Sequence, residues 1–83
     1  MGAGIIELDL HGLNCEQAKT KIDRTIAAAD GSVYMIRLIH GYHGGTQILN
    51  MIQDEYSYGR SPKVVRLQNG INPGVTELVL REF

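Results

Sequence analysis

Two histidine-glycine pairs each close a hydrophobic run: Ile5-Ile6-Glu7-Leu8-Asp9-Leu10-His11-Gly12 and Val33-Tyr34-Met35-Ile36-Arg37-Leu38-Ile39-His40-Gly41. An imidazole titrates near neutral pH and can exchange a proton with a hydroxyl, a water or a leaving oxygen. His11 and His40 therefore have the chemistry for general acid or base work on a phosphodiester. After His40 the chain reads Gly41-Tyr42-His43-Gly44-Gly45-Thr46. Backbone N–H groups of such a stretch, leading into a helix, can hold a phosphate oxygen. The same glycines can equally do no more than supply the backbone angles of a tight turn. A single strand-end histidine more often hydrogen-bonds a loop than reacts, so it is the meeting of two beside a glycine turn that favours chemistry.

Asp9 lies two residues before His11 and, on a strand, on the same face, roughly 7 Å away. Three roles are open to it: orienting a neighbouring imidazole, holding a metal, or pairing with Arg37. A divalent ion, Mg²⁺ or Mn²⁺, would draw on Asp9 and His11. Asp9 is the carboxylate that the strand pattern places near this edge, so an ion accepting imidazole is at least as well suited as Mg²⁺. One cysteine and three histidines make no convincing zinc set, and no organic cofactor is expected. Tyr42 could stack on an unpaired base or cover the sheet edge. Lys19, Lys21 and Arg24 are interrupted by Asp23 and preceded by Glu16, which favours a solvated helix face over a phosphate track. Cys15 reads as a small buried hydrophobe.

The runs rich in Ile, Leu and Val read as strands, and each is followed by a helical pattern, which makes the two strands parallel and joined by a right-handed crossover. Parallel strands finish on one side of their sheet, where open sheets bind ligands, so His11 and His40 are expected together. Asn14 and Gln17 have the spacing of a capping box, followed by an inward stripe of Cys15, Ala18, Ile22, Thr25, Ile26 and Ala29, with Gly31 as terminator. A second helix over about 46–56 places Ile48, Leu49, Ile52 and Tyr56 inward. Two further strand-like runs, 63–68 and 76–81, flank Asn69-Gly70-Ile71-Asn72-Pro73-Gly74, a wide hairpin loop. The order βαβαββ predicts a two-layer α/β (α+β) sandwich, a four-stranded mixed sheet with two helices on one face. Ile6, Leu8 and Leu10 would face the helices, leaving Glu7, Asp9 and His11 on the open face with Arg37 and Arg66. If the third strand runs parallel to the second, the loop from Asn69 to Gly74 forms a third wall beside the histidines.

The 83 residues, 43% of them hydrophobic, allow one small core, a single domain over 1–83 with 1–4 as a flexible start. Eight Lys and Arg against nine Asp and Glu give a formal charge of −1. This excludes the overall basicity common in nucleic-acid modules, so any such binding must be local. No apolar run reaches the ~20 residues of a membrane span, and Met1-Gly2-Ala3-Gly4 lacks the regions of a signal peptide. Lone Cys15 cannot form an internal disulfide, and a cytoplasmic location is expected.

Leu8-Asp9-Leu10-His11-Gly12 matches the Leu-Asp-Leu-His-Gly motif of the small MutS-related (Smr) domain, and His40-Gly41-Tyr42-His43-Gly44-Gly45-Thr46 stands in the place of its His-Gly-x-Gly motif. Pro73-Gly74-Val75-Thr76-Glu77-Leu78 resembles the family's turn into its last strand. The resemblance implies a compact domain similar to the C-terminal domain of bacterial translation initiation factor three, binding DNA or RNA and in many members nicking or cleaving it. It implies Asp9, His11 and His40 as catalytic residues. The expected phosphate contacts are Gly12, Gly41, Tyr42, His43, Gly44, Gly45 and Thr46, with Asn69 and Gly74 from the third wall. One position departs: the second glycine of the motif is His43, and position 42, often basic in the family, is Tyr. That departure bears on the loop's conformation and leaves weakened or retuned catalysis open. The leading expectation is a metal-assisted endonuclease. The alternatives are a non-catalytic module docking on structured RNA, branched DNA or a ribonucleoprotein, and a binder of a small phosphorylated ligand. DNA or RNA, the ribosome or a DNA-repair complex are the expected partners, and no membrane.

Overall fold

A computed structural model describes residues 4–41, 47–57 and 63–81. The elements follow the expected order: β1 (Ile5–Asp9), α1 (Cys15–Ala28), β2 (Met35–Ile39), α2 (Gln47–Tyr56), β3 (Arg66–Asn69) and β4 (Val75–Val79). They form one mixed sheet of order β1-β2-β4-β3. β1 pairs parallel to β2, while β4 runs antiparallel to both β2 and β3. β3 therefore points the same way as β1 and β2, the condition for the 69–74 loop to reach the histidine edge.

Alternation assigns the faces. Leu8 pairs with Leu38 and Ile36 with Leu78, and these residues join Leu10 in one buried cluster with Ala18, Ile22 and Ile26 of α1 and Ile52 and Tyr56 of α2. Both helices thus cover the same sheet face. Leu10, Ile22, Ile36, Leu38, Ile52 and Leu78 are fully buried, so truncating any of them to Ala costs about 2–5 kcal/mol.

The capping box forms as its spacing predicts. Gln17 N–H donates to the Asn14 side chain at 2.7 Å, and Asn14 N–H donates to the Gln17 side chain at 3.1 Å. The end of α1 differs. Ala29 takes an extended conformation at φ −69° and ψ 128°, and Ser32 N–H donates to the Asp30 carboxylate at 2.8 Å. Gly31 does not take the positive φ of a left-handed cap; the Asp30 side chain makes the turn instead. Across the helix pair, the Tyr56 hydroxyl donates to Asp23 at 2.5 Å and Lys19 Nζ donates to the same carboxylate at 2.8 Å.

β3 begins later than the sequence suggests, because Lys63 to Val65 lie outside the strand although Val65 N–H still reaches the Val79 carbonyl at 2.7 Å. Gly4 is buried, and its carbonyl accepts from Tyr34 and Met35 at 2.8 and 3.1 Å, which fixes the entry to β1. On the open face, Arg37 donates to Glu7 at 3.0 Å and to Glu77 at 3.1 Å; Gln68 donates to Glu77 and Arg66 to Gln68, both at 2.6 Å. This ladder crosses all four strands. Among the described residues no helix is long and apolar enough to cross a membrane.

Candidate functional site

Leu10 N–H still bonds the Ile39 carbonyl at 2.8 Å, but β1 ends at Asp9 and residues 11 and 12 turn. His11 is therefore not on the strand face about 7 Å from Asp9, as a continued strand would place it. The turn folds His11 back, so that Asp9 Oδ1 accepts both the His11 backbone N–H, at 3.1 Å, and the ring Nδ1–H, at 2.5 Å. A carboxylate only accepts, so Nδ1 carries the proton and, in the neutral ring, Nε2 is left as an acceptor. The two donations hold the Asp9 carboxyl below its ordinary range, the ring contributing most. Arg37 takes Glu7 and Glu77 as partners. Of the roles weighed for Asp9, orienting the imidazole is the one the geometry adopts. The His11 side chain is 76% exposed, and no described residue takes its Nε2, which is therefore within reach of a substrate. Lys21 Nζ donates to the Asp9 carbonyl at 3.1 Å and ties α1 to this corner.

His40 sits differently. It is half-buried; Nδ1 donates to the Gly41 carbonyl at 2.8 Å and Nε2 lies 2.8 Å from Thr76 Oγ1. With Nδ1 donating, the neutral ring accepts the Thr76 hydroxyl, so both nitrogens are occupied. The His40 and Gly41 backbone N–H groups both donate to the Gly74 carbonyl at 3.0 Å. The start of the glycine loop is thereby locked to the turn before β4. Sequence reasoning missed Thr76. Its signal is a lone hydroxyl on the stripe Thr76, Leu78, Leu80, whose members otherwise pack against the core.

The two histidines do share a cleft. It encloses roughly 500 Å³ between residues 11–15 on one side and His40, Gly41 and residues 47–49 on the other, at the amino end of α1. Gly12 and Gly41, with φ of +78° and +73°, occupy left-handed backbone at its two corners. Cys15 lines this cleft half-exposed and is not a core residue. Gly74 reaches the site through its carbonyl, because its own N–H is spent on the Asn72 side chain at 2.8 Å. Asn69 lines a neighbouring hollow between α2 and the β3–β4 turn. Tyr42, His43, Gly44, Gly45 and Thr46 lie outside the described residues. A larger hollow of about 680 Å³ runs over the outer side of α1 and contains neither histidine.

Among the described residues no third His, Cys, Asp or Glu joins Asp9 and His11 in a group able to hold a metal ion. Asp9 Oδ1 is moreover committed to His11.

No family model and no curated protein matches the sequence. Among solved structures, the chain is similar to the Smr domain of Thermus thermophilus MutS2, with a TM-score of 0.78 and 26% sequence identity. The likeness covers 93% of this chain and 99% of that one.

Proposed function

Because the chain folds as an Smr-like domain, we propose that it binds DNA or RNA and cuts the phosphodiester backbone at the corner made by Asp9 and His11. The observation that supports this reading is an exposed imidazole whose tautomer is set by a carboxylate and whose Nε2 is engaged by no described residue, at the rim of a cleft holding a second histidine. His11 Nε2 takes the proton of the attacking oxygen, a water or the 2′-hydroxyl of RNA, as that oxygen bonds to phosphorus. The imidazolium then returns the proton to the leaving oxygen as its bond to phosphorus breaks. Asp9, ionised and in contact, balances the transient charge. His40 acts as a positioning residue, holding the first residue of the glycine loop against β4. The substrates that suit a domain of charge −1 are structured RNA, including that of the ribosome, or branched DNA of the kind met in repair, where a few well-placed contacts decide binding.

Dependence on Mg²⁺ or Mn²⁺ belongs to this reading as a property to be tested, and no step is drawn through the ion. A second reading, a docking module without catalysis, is favoured by the engagement of both His40 nitrogens. Cleavage of supercoiled plasmid and end-labelled structured RNA with Mg²⁺, Mn²⁺ or chelator separates the two. Cutting that disappears in folded His11→Ala, with binding retained, supports the nuclease. Salt-dependent binding by the wild type without cutting in any condition replaces it with the docking module.

A further inference from the structure

Beside the histidine cleft, the β3–β4 turn and α2 enclose a second hollow of roughly 420 Å³. We propose that it receives one unpaired nucleobase of the strand whose phosphate enters the cleft, an assignment that rests on the nucleic-acid reading above. A base asks for two things of a pocket: apolar contact for its faces, and donors and acceptors for its edge. Leu49, Ile71 and Val75 supply the first, and the carboxamides of Gln53, Asn69 and Asn72 supply the second. Each carboxamide offers both a donor and an acceptor. Among the described residues no partner takes a hydrogen bond of the Gln53 or Asn69 side chain.

Ile71 is the most telling member. It is 82% exposed at a site where a polar residue would cost nothing, and it contributes nothing to the core. Its turn is held firmly: Gly70 N–H donates to the Val75 carbonyl at 3.0 Å, Val75 N–H to the Asn72 carbonyl at 3.0 Å, and Gly74 N–H to the Asn72 side chain. A Cβ on Gly70 would lie 2.9 Å from the Val75 carbonyl oxygen, so the close approach of the two strands requires glycine there. An apolar side chain presented on rigid backbone loses little freedom when a base covers it.

The two hollows adjoin. Leu49 lines both, and Thr76, on the wall of the second, hydrogen-bonds His40 in the first. A phosphate in one and the neighbouring base in the other therefore belong to consecutive positions of a single strand. A paired and stacked base must be extruded before it can enter, so the domain should select bulges, gaps and junctions over continuous duplex.

The test uses the full chain with DNA and RNA duplexes, each fully paired or carrying one bulged 2-aminopurine, and 2-aminopurine nucleoside monophosphate as a free nucleotide. Fluorescence anisotropy gives affinity, and 2-aminopurine emission reports entry of the base. The wild type is expected to prefer the bulged duplex by about tenfold, with a change in emission. That preference should fall to about twofold or less in Ile71→Ser and in Gln53→Ala, both exposed positions on the wall of the hollow, while affinity for paired duplex stays unchanged. Equal wild-type affinities, or a preference that survives both variants, overturn the base pocket and leave the nucleic-acid reading standing. Absence of binding to every oligonucleotide overturns both. An emission change with the mononucleotide alone, without oligonucleotide binding, assigns the hollow to a free nucleotide and overturns the proposal.

Discussion

One carboxylate oxygen of Asp9 accepts two hydrogen bonds from the same residue, and together they fix where His11 points and which of its nitrogens carries the proton. Asp9→Asn separates geometry from charge, since an amide oxygen can still accept both donors but cannot balance an imidazolium. Single-turnover cleavage should fall by roughly 10²–10⁴ with substrate affinity unchanged, the range ascribed to a well-placed acid or base and its partner. An equal loss of affinity would instead make Asp9 a binding residue. The pairing also has a titration signature. Because the folded Asp9 pKa is depressed, chiefly by the His11 ring, its contribution is present above the ordinary carboxylate range and lost as pH falls through the folded value. The carboxyl ¹³C shift of Asp9 should therefore titrate at a lower pH in the wild type than in His11→Ala. Identical midpoints would mean that the contact does not persist in solution.

The helix pair carries its own pH window. Burial raises the Asp23 carboxyl, but the hydrogen bonds from Lys19 and Tyr56 more than offset this, leaving it below its usual range; burial and then Asp23 push the Tyr56 hydroxyl well up. Asp23 therefore stabilises the fold above the usual carboxylate pKa and loses that effect as pH falls. Tyr56 stabilises it below the ordinary tyrosine pKa of about 10, and the effect is lost as pH rises towards its folded value. Tyr56→Phe should cost about 1–2 kcal/mol, a Tm lower by roughly 5–10 °C, and should reduce the alkaline decline in urea-derived stability to the part carried by Lys19, whose ammonium Asp23 also favours. An undiminished decline in Tyr56→Phe would place its origin elsewhere. At this scale much was legible in the sequence. The Asn14–Gln17 box and the stripe of Ala18, Ile22 and Ile26 depend on local spacing, and both formed as the spacing predicts. The orienting role of Asp9 was among the readings of the sequence, but the turn that achieves it was not legible, because it depends on β1 stopping at Asp9, and the apolar Leu10 continues the strand pattern past that point. Gly31 misled in the same way: glycine permits a left-handed stop, but the competing Asp30 side chain supplied another. Thr76 could be matched to His40 only once the pairing of β2 with β4 was known, and a pairing across 36 residues leaves no local trace.

Helices on one face of the sheet leave the other to be stabilised by its own side chains, and this molecule uses a row of charge. Glu7, Arg37 and Glu77 stand in register on β1, β2 and β4, with Gln68 and Arg66 extending the row onto β3. Glu77 is only 7% exposed and accepts the Arg37 Nε–H at 3.1 Å. The guanidinium, bridging two carboxylates, is in turn held in its charged form, most strongly by Glu77. Removing one partner of such a pair leaves a poorly hydrated charge, whereas removing both leaves apolar surface that can pack. Arg37→Ala should therefore lower the urea midpoint, and Arg37→Leu with Glu77→Leu should recover most of the loss, aided by the flanking Met35, Ile39 and Val79. The cleft lies at the strand ends and the charge row at mid-sheet, so below its Tm the Arg37→Ala protein should bind oligonucleotides as the wild type does. If binding falls in proportion to stability, the histidine corner and the open face are one cooperative unit, and the charge row must be counted among the groups that position His11.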